Sequence, residues 1–149
     1  MKLVSGGQTG VDRAALDVAL ELGVACGGWC PAARRAEDGA IPERYPLQET
    51  PSSRPGQRTE WNVRDSNATL ILCPDEPVPG SGTAYTVKMA KKHGRPYLLA
   101  DPDDPAAVER VRDWLEEQRV NVLNLAGPRE SQSPGIGART REFLIGLLA

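Results

Sequence analysis

The chain has 149 residues, 40% hydrophobic and 26% charged, which predicts one globular core and argues against disorder. A formal net charge of −2 argues against a protein that coats a nucleic-acid backbone, since that task needs a basic face. No apolar run reaches the roughly 20 residues that cross a bilayer, and Met1-Lys2-Leu3-Val4 enters structure directly, so the expectation is a cytoplasmic, soluble protein without membrane or nucleic-acid partners.

Lys2 to Val4 is a short apolar strand that breaks at Ser5-Gly6-Gly7-Gln8-Thr9-Gly10. Beyond it Val11, Ala15, Leu16, Val18, Ala19 and Leu22 recur at helical spacing, and Gly23 supplies the stop. Val24 to Gly28 is a second strand candidate. The stretch at about 29–57 is rich in Arg, Glu, Pro and Gly without sustained period, and is read as a long functional loop.

Arg58 to Ser66 predicts a short helix, and Ala68 to Cys73 a strand buried on both faces. After the Pro74 to Gly82 loop comes a helix from about Thr83 to His93, and Tyr97 to Ala100 forms a fourth strand. Ala106 to Gln118 shows Val108, Val111, Trp114 and Leu115 on one helical face, with Asp103 or Asp104 as cap. Asn121 to Ala126 is a fifth strand, and a last helix opens near Pro134-Gly135-Ile136-Gly137 and ends at Leu148. Alternating strands and helices predict an α/β, Rossmann-like fold: a mostly parallel five-stranded sheet with helices on both faces, formed by residues 1–149 as a single domain.

Three strands end in glycine-bearing turns that open helices, and such turns suit phosphates and oxyanions because the first helical N–H groups are free and partially positive. No turn is GxGxxG or GxxxxGK[ST], so neither a dinucleotide fingerprint nor a Walker loop is present. Thr9, Ser81, Thr83 and Ser131 offer hydroxyls; Arg13, Arg34, Arg35, Arg58, Arg64 and Arg129 offer charge-assisted bonds, with Arg58 and Arg129 the preferred anion clamps. Asp12, Glu60 and Asp65 are near enough to hydrogen-bond a heterocycle or ribose, although the first turn of its helix is the better-suited role for Asp12. Trp29 and Trp61 can stack on a planar ring or pack the long loop onto the sheet. Three cysteines, Cys26, Cys30 and Cys73, with the single His93 do not make a zinc set, and reduced, partly buried thiols are expected.

The run Ser5-Gly6-Gly7-Gln8-Thr9-Gly10-Val11-Asp12-Arg13-Ala14, the segments Gly28-Trp29-Cys30-Pro31 and Arg35-Ala36-Glu37-Asp38-Gly39, and Arg58-Thr59-Glu60-Trp61-Asn62-Val63-Arg64-Asp65 together resemble the circularly permuted YpsA-like branch of the SLOG superfamily. Gly82-Thr83 and Ala126-Gly127-Pro128-Arg129-Glu130-Ser131 with Pro134-Gly135 extend the resemblance over nearly the whole chain. That branch includes proteins described as molybdenum carriers. The resemblance implies sheet order 2-1-5-3-4, self-association as a dimer or tetramer, and binding of molybdenum cofactor (molybdopterin) or a nucleotide-like ligand. A related branch hydrolyses cytokinin nucleotides through a PGGxGTxxE motif; here Pro79-Gly80-Ser81-Gly82-Thr83 is followed by Thr86 where that glutamate stands.

The expected function is therefore a carrier that binds a phosphorylated pterin or molybdenum cofactor without turnover, with molybdoenzymes as partners, no catalytic residue and no protein metal ligand; Cys30 is the residue to suspect if molybdenum has one. Gly6, Gly7, Gly82 and Thr83, with Arg129 and Ser131, would hold the phosphate, and Arg58, Thr59 and Asn62 would close over the ring. Gln8, Thr9, Asp12, Arg13, Gly80, Ser81 and Gly127 complete the expected binding set. The alternatives are a nucleotide-processing hydrolase, for which Glu60 is a substitute carboxylate, and a sensor of a nucleotide derivative.

Overall fold

The computed structural model describes residues 1–149. Strands β1 (Lys2–Val4), β2 (Cys26–Gly27), β3 (Ala68–Leu72), β4 (Tyr97–Ala100) and β5 (Val122–Ala126) alternate with helices α1 (Val11–Leu22), α2 (Pro55–Arg64), α3 (Gly82–Lys92), α4 (Ala107–Glu117) and α5 (Ile136–Leu148). All pairings in the five-stranded sheet are parallel, and the order is β2-β1-β5-β3-β4, as the permuted resemblance implies. Leu3 stands opposite Leu123 and Thr69 opposite Asn124, which places β5 at the centre with β1 and β3 beside it.

Every residue of β3 is buried, because helices cover both faces. On one face Ala68, Leu70 and Leu72 join Leu3, Leu123 and Leu125 in a cluster of 17 buried residues with α1, α4 and α5. On the other face α2 packs on α3, where Val63, Met89 and Ala90 form a smaller core. Met89 and Ala90 of α3 are buried in this smaller core, and Phe143, Leu144 and Leu147 of α5 face the main one.

The segment read as one long loop is built, not open. Trp29–Cys30 pairs in parallel with Gln48–Glu49, a 3-10 turn covers Ala32–Arg34, and Arg35–Ala36 pairs antiparallel with Gly39–Ala40 as a small hairpin. Arg34 donates to four carbonyls, those of Ile41, Pro42, Tyr45 and Leu47, and so replaces the ladder that the segment lacks. Cys30, Ile41 and Tyr45 bury themselves against Leu16 of α1 as a second, local core. Two-residue ladders carry no periodicity, which is why the pattern looked structureless.

Boundaries move for local reasons. α2 starts at Pro55 instead of Arg58, since proline at the first helical position loses an N–H that would have no partner. Neither Asp103 nor Asp104 caps α4: Asp104 accepts the Ala106 N–H one residue before the helix, which begins without a side-chain cap.

Candidate functional site

The loops after β1, β5 and β3 leave the carboxyl edge of the sheet side by side, where open α/β sheets bind ligands. Between them and the first turns of α2 lies a cleft of about 320 Å³, lined by glycines and polar side chains together with Pro55, Tyr85, Leu125 and Ala126. Twelve expected residues meet there: Gly6, Gln8, Asp12, Arg58, Thr59, Asn62, Gly80, Ser81, Gly82, Thr83, Gly127 and Arg129. Gly7, Thr9, Arg13 and Ser131 do not line it.

α3 supplies one wall. The Ser81 hydroxyl accepts the Ala84 N–H at 3.2 Å, and this cap leaves the amides of Gly82 and Thr83 at the helix start facing outward without helical partners. The Thr86 hydroxyl donates back to the Gly82 carbonyl at 3.0 Å, so the residue at the hydrolase glutamate position is committed to the helix backbone.

The opposite wall is a buried ion pair. Arg58 donates to the Gly6 carbonyl at 2.9 Å and to the Thr59 hydroxyl at 3.1 Å, and stands 3.8 Å from Asp12. A Cβ at Gly6 would meet the Arg58 guanidinium, so a larger residue there would have to displace that side chain from the pair. Burial pushes the Asp12 carboxyl up from 3.8 to about 6, against the opposing pull of Arg58 and of the Gln8 and Gly6 amides. Asp12 is the sole carboxylate in the cleft lining.

Of the two preferred clamps, Arg58 is thus already engaged by the protein. Arg129 is different: its side chain is 45% exposed, and its ion-pair partner, Glu37, is 3.8 Å away. It can turn toward an anion in the cleft with little to give up.

The four residues outside the lining have other partners. Arg13 is held by the Gly7 carbonyl and Asp38, while Thr9 and Ser131 hydrogen-bond Glu37. Gly7 lies under Ile41 and Leu47. Arg34 is the carbonyl pin of the inserted segment, and Arg64 pairs with Asp65 and lies over the Trp61 ring. Trp29 and Trp61 meet edge to face at 4.8 Å, and Trp29 donates to Asp65, so both rings fix the inserted segment to α2 instead of lining the cleft. Glu60 is likewise outside: Lys92 and His93 hydrogen-bond its carboxylate and hold it below the usual range. Cys30 is fully buried in the local core, away from the cleft, so its thiol is not placed to ligate a bound metal.

Sequence reasoning passed over Tyr85, Asn124 and Gln132, which also line the cleft. Asn124 carried a signal: an asparagine in the middle of an otherwise apolar strand, buried and donating to Thr69 at 3.3 Å. Tyr85 and Gln132 had none beyond their proximity to glycine loops.

A family model described as the circularly permutated YpsA SLOG family matches residues 3–148. The chain belongs to that family. Among solved structures this YpsA-type SLOG protein is similar to a crystal structure described as a "Putative molybdenum carrier protein" from Syntrophus aciditrophicus SB, at 41% identity and a TM-score of 0.90, covering 99% of this chain and 94% of that one. No curated protein matches the chain. Family and neighbour leave both the role of the cleft and its ligand to be argued from the residues.

Proposed function

We propose that this YpsA-type SLOG protein carries a phosphorylated pterin, molybdenum cofactor or a close relative, in the cleft and releases it chemically unchanged. The observation that carries the reading is the two-ended polarity of the cleft. The open N-terminus of α3 and the exposed Arg129 favour a phosphate, while the buried Asp12 carboxylate, across β5 from the start of α3, favours an N–H-rich heterocycle edge. A pterin phosphate is a ligand with both ends. The neighbour described as a molybdenum carrier supports the same cargo class.

The residues fit cargo binding better than metal ligation. No group of histidine, cysteine and carboxylate side chains in the structure is arranged to hold a metal ion. Molybdenum in the cargo would keep the ligands it arrives with, and the protein would act on phosphate and ring. Arg58 and Thr59 would position the ring and Gly82, Thr83 and Arg129 the phosphate, while Asn62, whose amide accepts the Trp29 N–H at 2.8 Å and donates to the Trp29 carbonyl at 3.0 Å, holds the wall behind them.

A second reading, release of a base from a nucleoside monophosphate, has one residue in its favour. Asp12 is a buried carboxylate in a cleft whose carboxyl is raised to about 6, which is the profile of a general acid or base. Against it, Thr86 stands where the motif glutamate would and is bonded to the helix backbone, and Glu60 is turned away to Lys92 and His93.

Fluorescence titration with a pterin phosphate, alongside a panel of nucleoside monophosphates assayed for free base, separates the two. Micromolar pterin binding that Arg129→Ala and Asp12→Asn both weaken, with no base released, is the expected result. Failure to bind any pterin or molybdate at micromolar concentration would remove the carrier reading, and base release abolished by Asp12→Asn would replace it with the hydrolase.

A further inference from the structure

Two of the expected anion donors that stand outside the cleft, Thr9 and Ser131, face a carboxylate. Glu37, at the tip of the small hairpin, reaches across to the loops after β1 and β5. Its Oε1 accepts the Ser131 hydroxyl at 2.5 Å, its Oε2 accepts the Ser131 N–H at 3.2 Å and the Thr9 hydroxyl, and Arg129 Nε stands 3.8 Å from Oε1. The Thr9 oxygen accepts the Glu130 N–H at 3.2 Å, which turns its own proton toward Glu37. A backbone amide, two hydroxyls and a guanidinium converging on one carboxylate make the donor set of an oxyanion site.

The hairpin does not depend on that carboxylate. Asp38 pairs with Arg13, the Glu37 N–H donates to Gln8 Oε1 at 2.9 Å, and Arg34 pins the segment behind it. Rotation of the Glu37 side chain into solvent would free all four donors and leave the backbone where it is. Arg129 also lines the cleft, so the vacated position is continuous with it.

We propose that Thr9, Ser131 and Arg129 form an oxyanion subsite adjoining the cleft, with Glu37 as an internal stand-in that a tetrahedral oxyanion displaces, either as a free ion or as the end of a phosphomonoester. The inference rests on reading the cleft as an anion-binding site, and not on the pterin. It gives the inserted segment a function: ligand arrival at Arg129 and departure of Glu37 become one event, and the hairpin tip reports occupancy.

Calorimetric titration with inorganic phosphate at fixed ionic strength tests it on the wild type, Glu37→Ala and the double variant Glu37→Ala with Ser131→Ala. Emptying the subsite should raise phosphate affinity at least about tenfold, and removing Ser131 as well should return it to the wild-type level. Guanosine monophosphate distinguishes the sources: a gain for the ester alone assigns the subsite to the end of a larger ligand, and a gain for both assigns it to the free ion.

A second measurement needs no variant. In the wild type, carboxyl NMR of Glu37 should move toward a solvent-exposed glutamate on addition of millimolar phosphate and stay still in matched chloride. Glu37→Ala that binds phosphate and the ester no better than wild type, or a Glu37 signal indifferent to both phosphate and guanosine monophosphate, overturns the subsite. Phosphate gain without any pterin binding would defeat the carrier reading and keep the subsite, so the two fail separately.

Discussion

Asp12→Asn should make the protein more stable while weakening ligand binding. The carboxyl is raised from 3.8 to about 6 by burial, so the folded state holds its proton more tightly than the unfolded chain does. Between those two values the native state is the more protonated, and stability must fall as pH rises through that window. Above it the ionised carboxylate costs the fold roughly 3 kcal/mol, and because the side chain is 11% open to the cleft, water returns part of that. Asparagine resembles the protonated form, so the variant should gain about 1–3 kcal/mol near neutral pH and almost nothing near pH 4. Urea denaturation of both proteins across this range measures the difference directly. A variant less stable than wild type at neutral pH, or a difference that does not grow with pH, would show that Asp12 is a structural partner of Arg58 and not a carboxylate held against its preference for the ligand.

Other variants separate the site from its scaffold. Arg129→Ala should cost about tenfold or more in pterin phosphate affinity with a melting temperature close to wild type, as isothermal titration and calorimetric melting would record. Arg34→Ala removes the donor to four carbonyls and should destabilise by about 3–5 kcal/mol in urea titration, with the inserted segment becoming sensitive to trypsin. Gly127→Ala places a Cβ against the Leu72 carbonyl and the Val11 side chain, and should cost about 3 kcal/mol or more, read as a fall in the denaturation midpoint. Glu60→Gln breaks an outlying pair with Lys92 and His93 and should leave ligand affinity unchanged in the same titration.

The layered fold was legible because its strands are short, continuous apolar runs. Ala68–Leu72 and Val122–Ala126 are buried on both sides and leave no other reading, and glycines mark the turns that follow them. The order of the strands came from the family resemblance; local pattern alone does not encode which run lies beside which. The inserted segment stayed hidden because Arg34 and a few two-residue ladders hold it, and a guanidinium bonding to carbonyls has no sequence period.

The site was legible in its loops and less so in its electrostatics. Glycines and hydroxyl residues next to strand ends do converge at the cleft, but which arginine is free depends on contacts far apart in sequence. Arg58 is tied to Gly6 and Asp12, more than forty positions away, and Thr9 and Ser131 are turned toward Glu37 by the hairpin. The Asp12 carboxylate offered two plausible roles in the sequence, and its position facing the cleft beside Arg58 makes it a ligand-binding candidate.

The most direct test of the carrier account is mass spectrometry with elemental analysis of small molecules released from the protein, freshly purified from a host competent in molybdenum cofactor synthesis. The account predicts a pterin phosphate with molybdenum in near-stoichiometric amount, lost from the Arg129→Ala variant. Recovery of a nucleotide in place of the pterin would contradict it.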